Sequence, residues 1–337
     1  MSTPARCFII AEAGVNHNGD IRLAERLVDA AKKAGADAVK FQTFKADSLV
    51  SALAPLAEYQ RKRVASASQL DLIRGLELSE SAHRRLLARC RKVGIEFMST
   101  PFDEASADLL ARLGVRRFKI PSGEITNKGL IRHIASKGKP VILSTGMSTL
   151  AEVKRAVGWL LGARRVPLTV LHCVTEYPAP AAQVNLRALG TMRTALKLPI
   201  GYSDHTLGAD VAVAAAARGA AVLEKHLTLD RSLPGPDHAA SLEPGEFAGM
   251  VASIRLVESA LGDGVKRPAP CEKKNLRVAR RGVVAARDLP RGHRLTAADL
   301  AVKRPATGLP PESLDRLAGK VLRKALRRDQ PLTKGCL

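Results

Sequence analysis

Hydrophobic positions along this chain fall into short runs that alternate with longer amphipathic stretches. Apolar runs of strand length occur at 7–14 (CFIIAEAG), 36–44 (ADAVKFQTF), 94–102 (GIEFMSTPF) and 116–124 (RRFKIPSGE). Four more follow at 139–147 (KPVILSTGM), 167–178 (PLTVLHCVTEYP), 198–206 (LPIGYSDHT) and 220–228 (AAVLEKHLT). The stretches between them have helical spacing. In DIRLAERLVDAAKKAGA, Ile21, Leu23, Ala24, Leu27, Val28 and Ala31 recur near a 3.6-residue period. In STLAEVKRAVGWLLGA, Ser148 and Thr149 precede the periodic run as candidate N-caps. Strands this apolar suit a parallel sheet covered on both faces. Eight strand–helix units in roughly 250 residues predict an α/β fold of the (β/α)8 type, a TIM barrel, rather than an open doubly wound sheet. No GxGxxG follows the first strand, which weakens a dinucleotide-binding reading.

The barrel pattern runs over residues 1–264. The segment 265–276, with VKRPAPCEKKN at its start, is charged, proline-bearing and without periodicity, and reads as a linker. Over 277–337, short β-like pieces (RRGVVAARDLPRGHRL, LAVKRP) separated by dense turn signals predict a small β-rich module.

Barrels of this class carry their working groups at the C-terminal ends of the strands. Those ends hold Glu12, Asn16, His17 and Asn18, then Lys40 and Gln42, then Ser99 and Thr100. Next come Lys119, Ser122 and Glu124, then Ser144 and Thr145, then His172, Thr175, Glu176 and Tyr177. The last two runs end in Ser203-Asp204-His205 and Glu224-Lys225-His226. One polar strand end would be noise; eight predict a site.

Composition narrows the class. The 337 residues are 46% hydrophobic and 26% charged, ordinary for a globular chain. No apolar run approaches the ~20 residues that span a bilayer, and the N-terminal apolar segment is too brief for a signal peptide. Five cysteines, odd in number and never spaced as CxxC, predict reduced thiols in a cytoplasmic protein. The net charge is +22, and residues 265–337 carry 19 Lys and Arg against 6 Asp and Glu. Such a tail could attract nucleic acid, but aromatic residues are only 3% of the chain and no zinc-finger or RNP-like motif is present. Attraction of a small anionic substrate is the functional alternative.

Two histidines at adjacent strand ends, His205 and His226, could bind one divalent cation through neutral imidazole, or simply hydrogen-bond within a polar mouth. Lys40, Lys119 and Lys225 pointing into that mouth would require an anion between them, unless one of them serves as a Schiff-base nucleophile. Ser122, Ser144 and Thr145 near helix starts suit phosphate or carboxylate oxygens. Glu12 and Glu124 are candidate acid/base groups or structural partners of a lysine. The residues alone support a metal-assisted enzyme acting on a small phosphorylated anion, and leave the reaction open. A non-catalytic carbohydrate- or nucleic-acid-binding barrel is the reading from another class.

At these residues the sequence resembles the sialic acid synthase (N-acetylneuraminate synthase) family. The matching motifs are EAGVNHNGD, KFQTFKA, STPFDEAS, FKIPSGEITN, LSTGMST, VLHCVTEYPAP, GYSDHT, EKHLTLD and PGPDH, with VKRP in an antifreeze-like (SAF) tail module. The resemblance implies condensation of phosphoenolpyruvate with the open-chain aldehyde of N-acetylmannosamine or a related 2-acetamido hexose. The products are a nine-carbon 2-keto acid and phosphate. It further implies Mn²⁺ or Mg²⁺ on His205 and His226, with Lys40, Thr100, Lys119, Ser122 and Ser144 gripping phosphoenolpyruvate. Glu124 would handle protons, while Glu12, Gln42, Tyr177 and Asp237 would contact sugar or water. Arg304 would reach from the SAF module of one subunit into the barrel of its partner, in a domain-swapped homodimer that needs neither nucleic acid nor membrane.

Two departures bear on the sugar. Thr175 stands where some N-acetylneuraminate synthases carry asparagine, and ARRG (279–282) replaces an apolar, aromatic stretch. Both bring the chain closer to the bacterial branch that includes N,N'-diacetyllegionaminate synthases, whose acceptor is 2,4-diacetamido-2,4,6-trideoxymannose.

Overall fold

The computed structural model describes residues 6–55 and 68–337. Residues 1–5, part of the N-terminal segment read above as too brief for a signal peptide, lie outside the described residues. The chain forms two units, Met1–Asp263 and Gly264–Leu337. No helix among the described residues is long and apolar enough to cross a membrane.

In the first unit all eight expected strands form: β1 (Phe8–Gly14), β2 (Ala38–Thr43), β3 (Glu96–Pro101), β4 (Phe118–Ile120), β5 (Val141–Ser144), β6 (Leu168–Cys173), β7 (Ile200–Asp204) and β8 (Val222–His226). Their order in the sheet is β3-β2-β1-β8-β7-β6-β5-β4 and the paired neighbours are parallel. The outer strands β3 and β4 also lie side by side, so the sheet curls into the expected barrel. Each strand is shorter than its apolar run. β4 keeps the smallest share of its run, three residues of nine, because Pro121 has no N–H for the ladder and residues Ser122–Glu124 turn into a 3-10 helix.

Alternation along the strands builds two layers inside the barrel. Ile10, Ala38, Met98, Ile142, Leu171 and Val222 form one fully or nearly fully buried apolar cluster. Two positions further along the same strands stand Glu12, Lys40, Thr100, Ser144, Cys173 and Glu224, all of them lining one cavity. The apolar layer is therefore a plug, and the polar layer is the floor of a site above it. Gly201 on β7 belongs to the plug's packing: a Cβ there would meet the Val222 carbonyl oxygen at 2.3 Å and Leu171 Cδ2 at 2.5 Å.

The larger core lies between the sheet and the surrounding helices. Helix Ile21–Lys33 buries Ala24, Leu27, Val28 and Ala31, the face its period predicts, and Asp20 caps it by accepting from Arg22 N. Helix Leu150–Ala163 is capped by Thr149, in a reciprocal box with Glu152. Ser148 instead donates to the Gly146 carbonyl.

In the second unit, β9 (Gly282–Ala285) and β10 (Leu300–Lys303) pair antiparallel over a core that includes Val283, Leu289, Leu295, Leu322 and Leu332. A 3-10 turn (Pro270–Glu272) and a short helix (Lys273–Ala279) occupy most of the charged segment read as a linker. The helix has seven residues and none of them is buried, so there was no apolar stripe for periodicity to detect.

Candidate active site

The cavity at the C-terminal ends of the barrel strands holds about 450 Å³. It draws together Glu12, Lys40, Gln42, Thr100, Lys119, Ser122, Ser144, Thr175, Tyr177, His205, His226 and Asp237 from the candidate residues of the sequence. Twelve side chains from all eight strand ends and the loops after them converge on one space.

Four charges sit at its floor. Lys40 Nζ lies 2.7 Å from Glu12 Oε2 and 3.6 Å from Glu224 Oε2, and donates to Thr100 Oγ1 at 2.9 Å. Lys119 Nζ donates to Glu224 Oε1 at 3.1 Å, and Ser203 Oγ donates to the same oxygen at 2.9 Å. All four charged side chains are at least 95% buried. The two carboxylates respond differently. Burial pushes the Glu12 pKa up to about 7 against the pull of Lys40, and the Glu224 charge adds to the rise. Burial also works against the Glu224 charge, but Lys119 and Lys40 outweigh it and hold that carboxyl well below the usual range. Glu12 has one close lysine and Glu224 has two, so Glu12 is the carboxylate of the pair that takes a proton more readily.

The histidines stand at the mouth side. The His205 and His226 ring centroids are 5.4 Å apart, and Tyr177 covers both at 4.1 and 5.5 Å. His205 Nδ1 donates to the Val174 carbonyl at 2.7 Å, so a cation would take Nε2; burial works against the charge of this ring, but Cys173 and that carbonyl outweigh it and raise its pKa. His226 Nδ1 has no hydrogen-bond partner among the described residues and lies 3.9 Å from Asp237 Oδ2. Burial and the neighbouring His205 ring hold the His226 pKa well below its ordinary value, so its imidazole is neutral. A neutral buried ring nitrogen with no partner, beside a second imidazole oriented through its other nitrogen, fits a divalent cation. Among the described residues no cluster of three or more His, Cys, Asp or Glu side chains closes such a site.

Ser122 and Ser144 lie on the β4–β5 side. Ser122 Oγ accepts from Gly146 N at 2.9 Å, while the buried Ser144 Oγ has no partner among the described residues. Gly146 cannot carry a side chain here, because its Cβ would sit 2.0 Å from Thr175 Oγ1.

Several strand-end residues point elsewhere, most of them because neighbours along a strand face opposite sides. Lys225, expected in the mouth with Lys40 and Lys119, lies behind β8. There it donates to Asp204 Oδ2 at 2.8 Å and to the Thr206 carbonyl, fully buried. It is thus outside the cavity and unavailable as a Schiff-base nucleophile there. His172 donates to the Val184 carbonyl, Thr145 to that of Leu171, and Ser99 pairs with Thr43, all away from the cavity. His17 is buried, accepts from Gly19 N and stands against Phe41, with burial lowering its pKa to about 4. Glu124 is not among the cavity-lining residues. Its carboxylate accepts from Asn127 Nδ2 at 2.7 Å, because positions two apart in a 3-10 turn do not share the face that Ser122 presents. Arg304 is an exposed residue of the second unit, directly after β10.

The cavity also contains groups to which the sequence analysis gave no role, two of them members of the polar strand ends. Ser203 and Glu224 precede the two histidines by two residues, so strand alternation alone predicts that they face inward. Cys173 on β6 follows the same rule. Val15, Ile73, Leu76 and Phe102 line the β1–β3 side with apolar surface, and no local sequence signal marks them.

A (β/α)8 barrel with lysines, paired imidazoles and a proton-holding carboxyl around one cavity defines an enzyme. Residues 27–266 match the NeuB family and residues 280–337 match the SAF domain. The chain is 47% identical to an N,N'-diacetyllegionaminic acid synthase of Campylobacter jejuni, over 96% of this chain and 98% of that protein. A second N,N'-diacetyllegionaminic acid synthase, from Legionella pneumophila, is 49% identical over 94% of this chain and 90% of that protein. The N-acetylneuraminic acid synthetase of Leptospira borgpetersenii, solved with citrate, superposes with a TM-score of 0.73 at 35% identity. That match covers 80% of this chain and 90% of that one. The chain belongs to the NeuB family.

Proposed function

We propose that this enzyme is a nonulosonate synthase of the N,N'-diacetyllegionaminate type. It condenses phosphoenolpyruvate with 2,4-diacetamido-2,4,6-trideoxymannose and releases phosphate. The reaction is carried by one observation: two buried lysines, Lys40 and Lys119, and two imidazoles, His205 and His226, face a single cavity closed at its base. The sugar follows the two legionaminic acid synthases, which share about half of this sequence, over the N-acetylmannosamine reading.

In this reading Lys40, Lys119, Thr100, Ser122 and Ser144 bind the phosphate and carboxylate of phosphoenolpyruvate, replacing lysine–carboxylate contacts with lysine–substrate ones. A divalent cation, Mn²⁺ or Mg²⁺, held by His205 and His226 would supply Lewis-acid polarisation of the aldehyde oxygen. The new bond joins C3 of phosphoenolpyruvate to the aldehyde carbon, whose oxygen gains a proton. Water adds at C2, the phosphate leaves from that carbon, and the 2-keto group remains. Glu12, with a pKa near working pH, is placed to move these protons between water and sugar. Gln42, Thr175, Tyr177 and Asp237 orient the acceptor. Glu124 stays a second proton-handling candidate only through the family resemblance.

Arg304 completes the site from the tail module of a second copy, in a cytoplasmic homodimer. The test is phosphate release from phosphoenolpyruvate with Mn²⁺, comparing the diacetamido sugar with N-acetylmannosamine. Faster release with the diacetamido sugar is expected; faster release with N-acetylmannosamine would return the assignment to an N-acetylneuraminate synthase.

A further inference from the structure

Three residues of the polar strand ends, Asn16, His17 and Asn18, do not line the cavity. Their side chains diverge. His17 turns toward Phe41, whereas both asparagines are committed to the loop between β8 and the helix Pro244–Leu261. The two ends of that loop are tied together: Leu227 and Leu242 form a parallel bridge, and Leu242 N donates to the His226 carbonyl at 2.9 Å. Between those ends the loop runs out to the cavity, where it presents Pro236 and Asp237.

Asn16 fastens the base of the loop. Its buried Nδ2 donates to the Leu227 carbonyl and to Ser241 Oγ, both at 2.9 Å. Ser241 Oγ in turn donates to the Asp237 carbonyl at 2.7 Å. Asn18 fastens the stretch on either side of Asp237. Its Nδ2 donates to the Pro234 carbonyl at 2.8 Å, which turns Oδ1 toward His238 to accept from Nε2 at 3.2 Å. These bonds reach both flanks of one cavity residue from the end of another strand.

We infer that Asn16 and Asn18 are positioning residues for the reaction, holding Asp237 in place beside His226. The inference rests on the synthase reading above and adds to it two residues that do not line the cavity. Asp237 Oδ2 lies 3.9 Å from His226 Nδ1. A loop fixed only at its ends could carry Asp237 through many positions, and each asparagine bond removes part of that freedom before substrate arrives. Asp237 is assigned to the acceptor, so the clasp acts on the sugar. Lys40, Lys119, Ser122 and Ser144, assigned to phosphoenolpyruvate, stand on or just after β2, β4 and β5, and their placement does not pass through this loop.

Asn18→Gly tests this, because Asn18 has a φ of 49°, a left-handed conformation that glycine adopts without strain. In phosphate release with Mn²⁺ and the diacetamido sugar, the variant should lose about 10- to 100-fold in kcat/KM for the sugar, as a misplaced group does. The KM for phosphoenolpyruvate should stay near its wild-type value. Asn18→Asp keeps the acceptor for His238 and loses the donor to Pro234, so it should fall between wild type and Asn18→Gly. Hydrogen exchange followed by mass spectrometry should show faster exchange of the 228–241 loop in Asn18→Gly, with the barrel strands unchanged. A loosened loop with sugar kinetics unchanged would overturn the positioning role. So would a loss falling equally on both substrates with faster exchange throughout the barrel, which is a stability effect. A loss confined to the sugar with loop exchange unchanged would also overturn it, since Asn18 would then act on the sugar directly. Each of these results leaves the synthase reading standing. No phosphate release by the wild type with the diacetamido sugar or N-acetylmannosamine would overturn that reading and the positioning role with it.

Discussion

Asp204 and Lys225 are directly opposite each other on β7 and β8, and their side chains form a fully buried ion pair in the layer behind the sheet. Asp204 Oδ1 also accepts from Thr206 N, Thr206 Oγ1 and the Tyr202 hydroxyl. Each member sits one residue before a cavity histidine. The outward-facing pair therefore ties together the two strand ends that present His205 and His226 inward.

Removing one member strands a charge in an apolar layer. Lys225→Met should cost about 3–5 kcal/mol of stability, and the double variant Asp204→Leu/Lys225→Met should recover most of it. Chemical denaturation of the three proteins measures this. A double variant no more stable than the single one would contradict the pairing.

His205→Ala or His226→Ala should lose most turnover and most Mn²⁺ affinity while the fold survives. Phosphate release, Mn²⁺ titration of the purified protein and a thermal melt separate the three effects. Near-full activity without bound metal would remove the cation from these residues.

Glu12 carries a pH signature. Its folded pKa is raised, from 4.5 to about 7, so its stabilising contribution is complete below about pH 4.5 and is lost as the pH rises through about 7. Glu12→Gln should remove that decline, so wild type and variant differ in melting temperature by an amount that changes across this window. A constant difference would place the proton elsewhere. In kinetics Glu12→Gln should lower kcat more than Glu124→Gln; the reverse order would restore Glu124 as the main proton-handling group.

Arg304→Ala should mainly raise the KM for the sugar, leaving the KM for phosphoenolpyruvate near its wild-type value. An unchanged sugar KM would take the tail module out of the site.

The fold was legible because a buried parallel strand announces itself as an apolar run, and each of the eight runs holds one strand, though a shorter one. The site was legible only down to the strand end. Ser203-Asp204-His205 and Glu224-Lys225-His226 read as polar clusters, yet alternation sends the middle residue of each to the opposite face. Applying the period of two within each cluster would have found Glu224 and Ser203, and would have placed Lys225 outside the cavity. Glu124 shared a short segment with Ser122, and only the turn made by Pro121 separates their directions. The apolar side of the cavity was hidden for another reason. Ile73 and Phe102 become neighbours only through tertiary packing, and each in isolation looks like ordinary core.

The plug of Ile10, Met98, Ile142 and Leu171 has a kinetic consequence. Among the described residues it closes the base of the cavity, so ligands that enter from the mouth load and unload as in a stack. A molecule gripped at the floor by Lys40 and Lys119 has to enter before anything occupying the level of Tyr177 and Asp237. Binding order is then imposed by geometry, without any conformational change to enforce it.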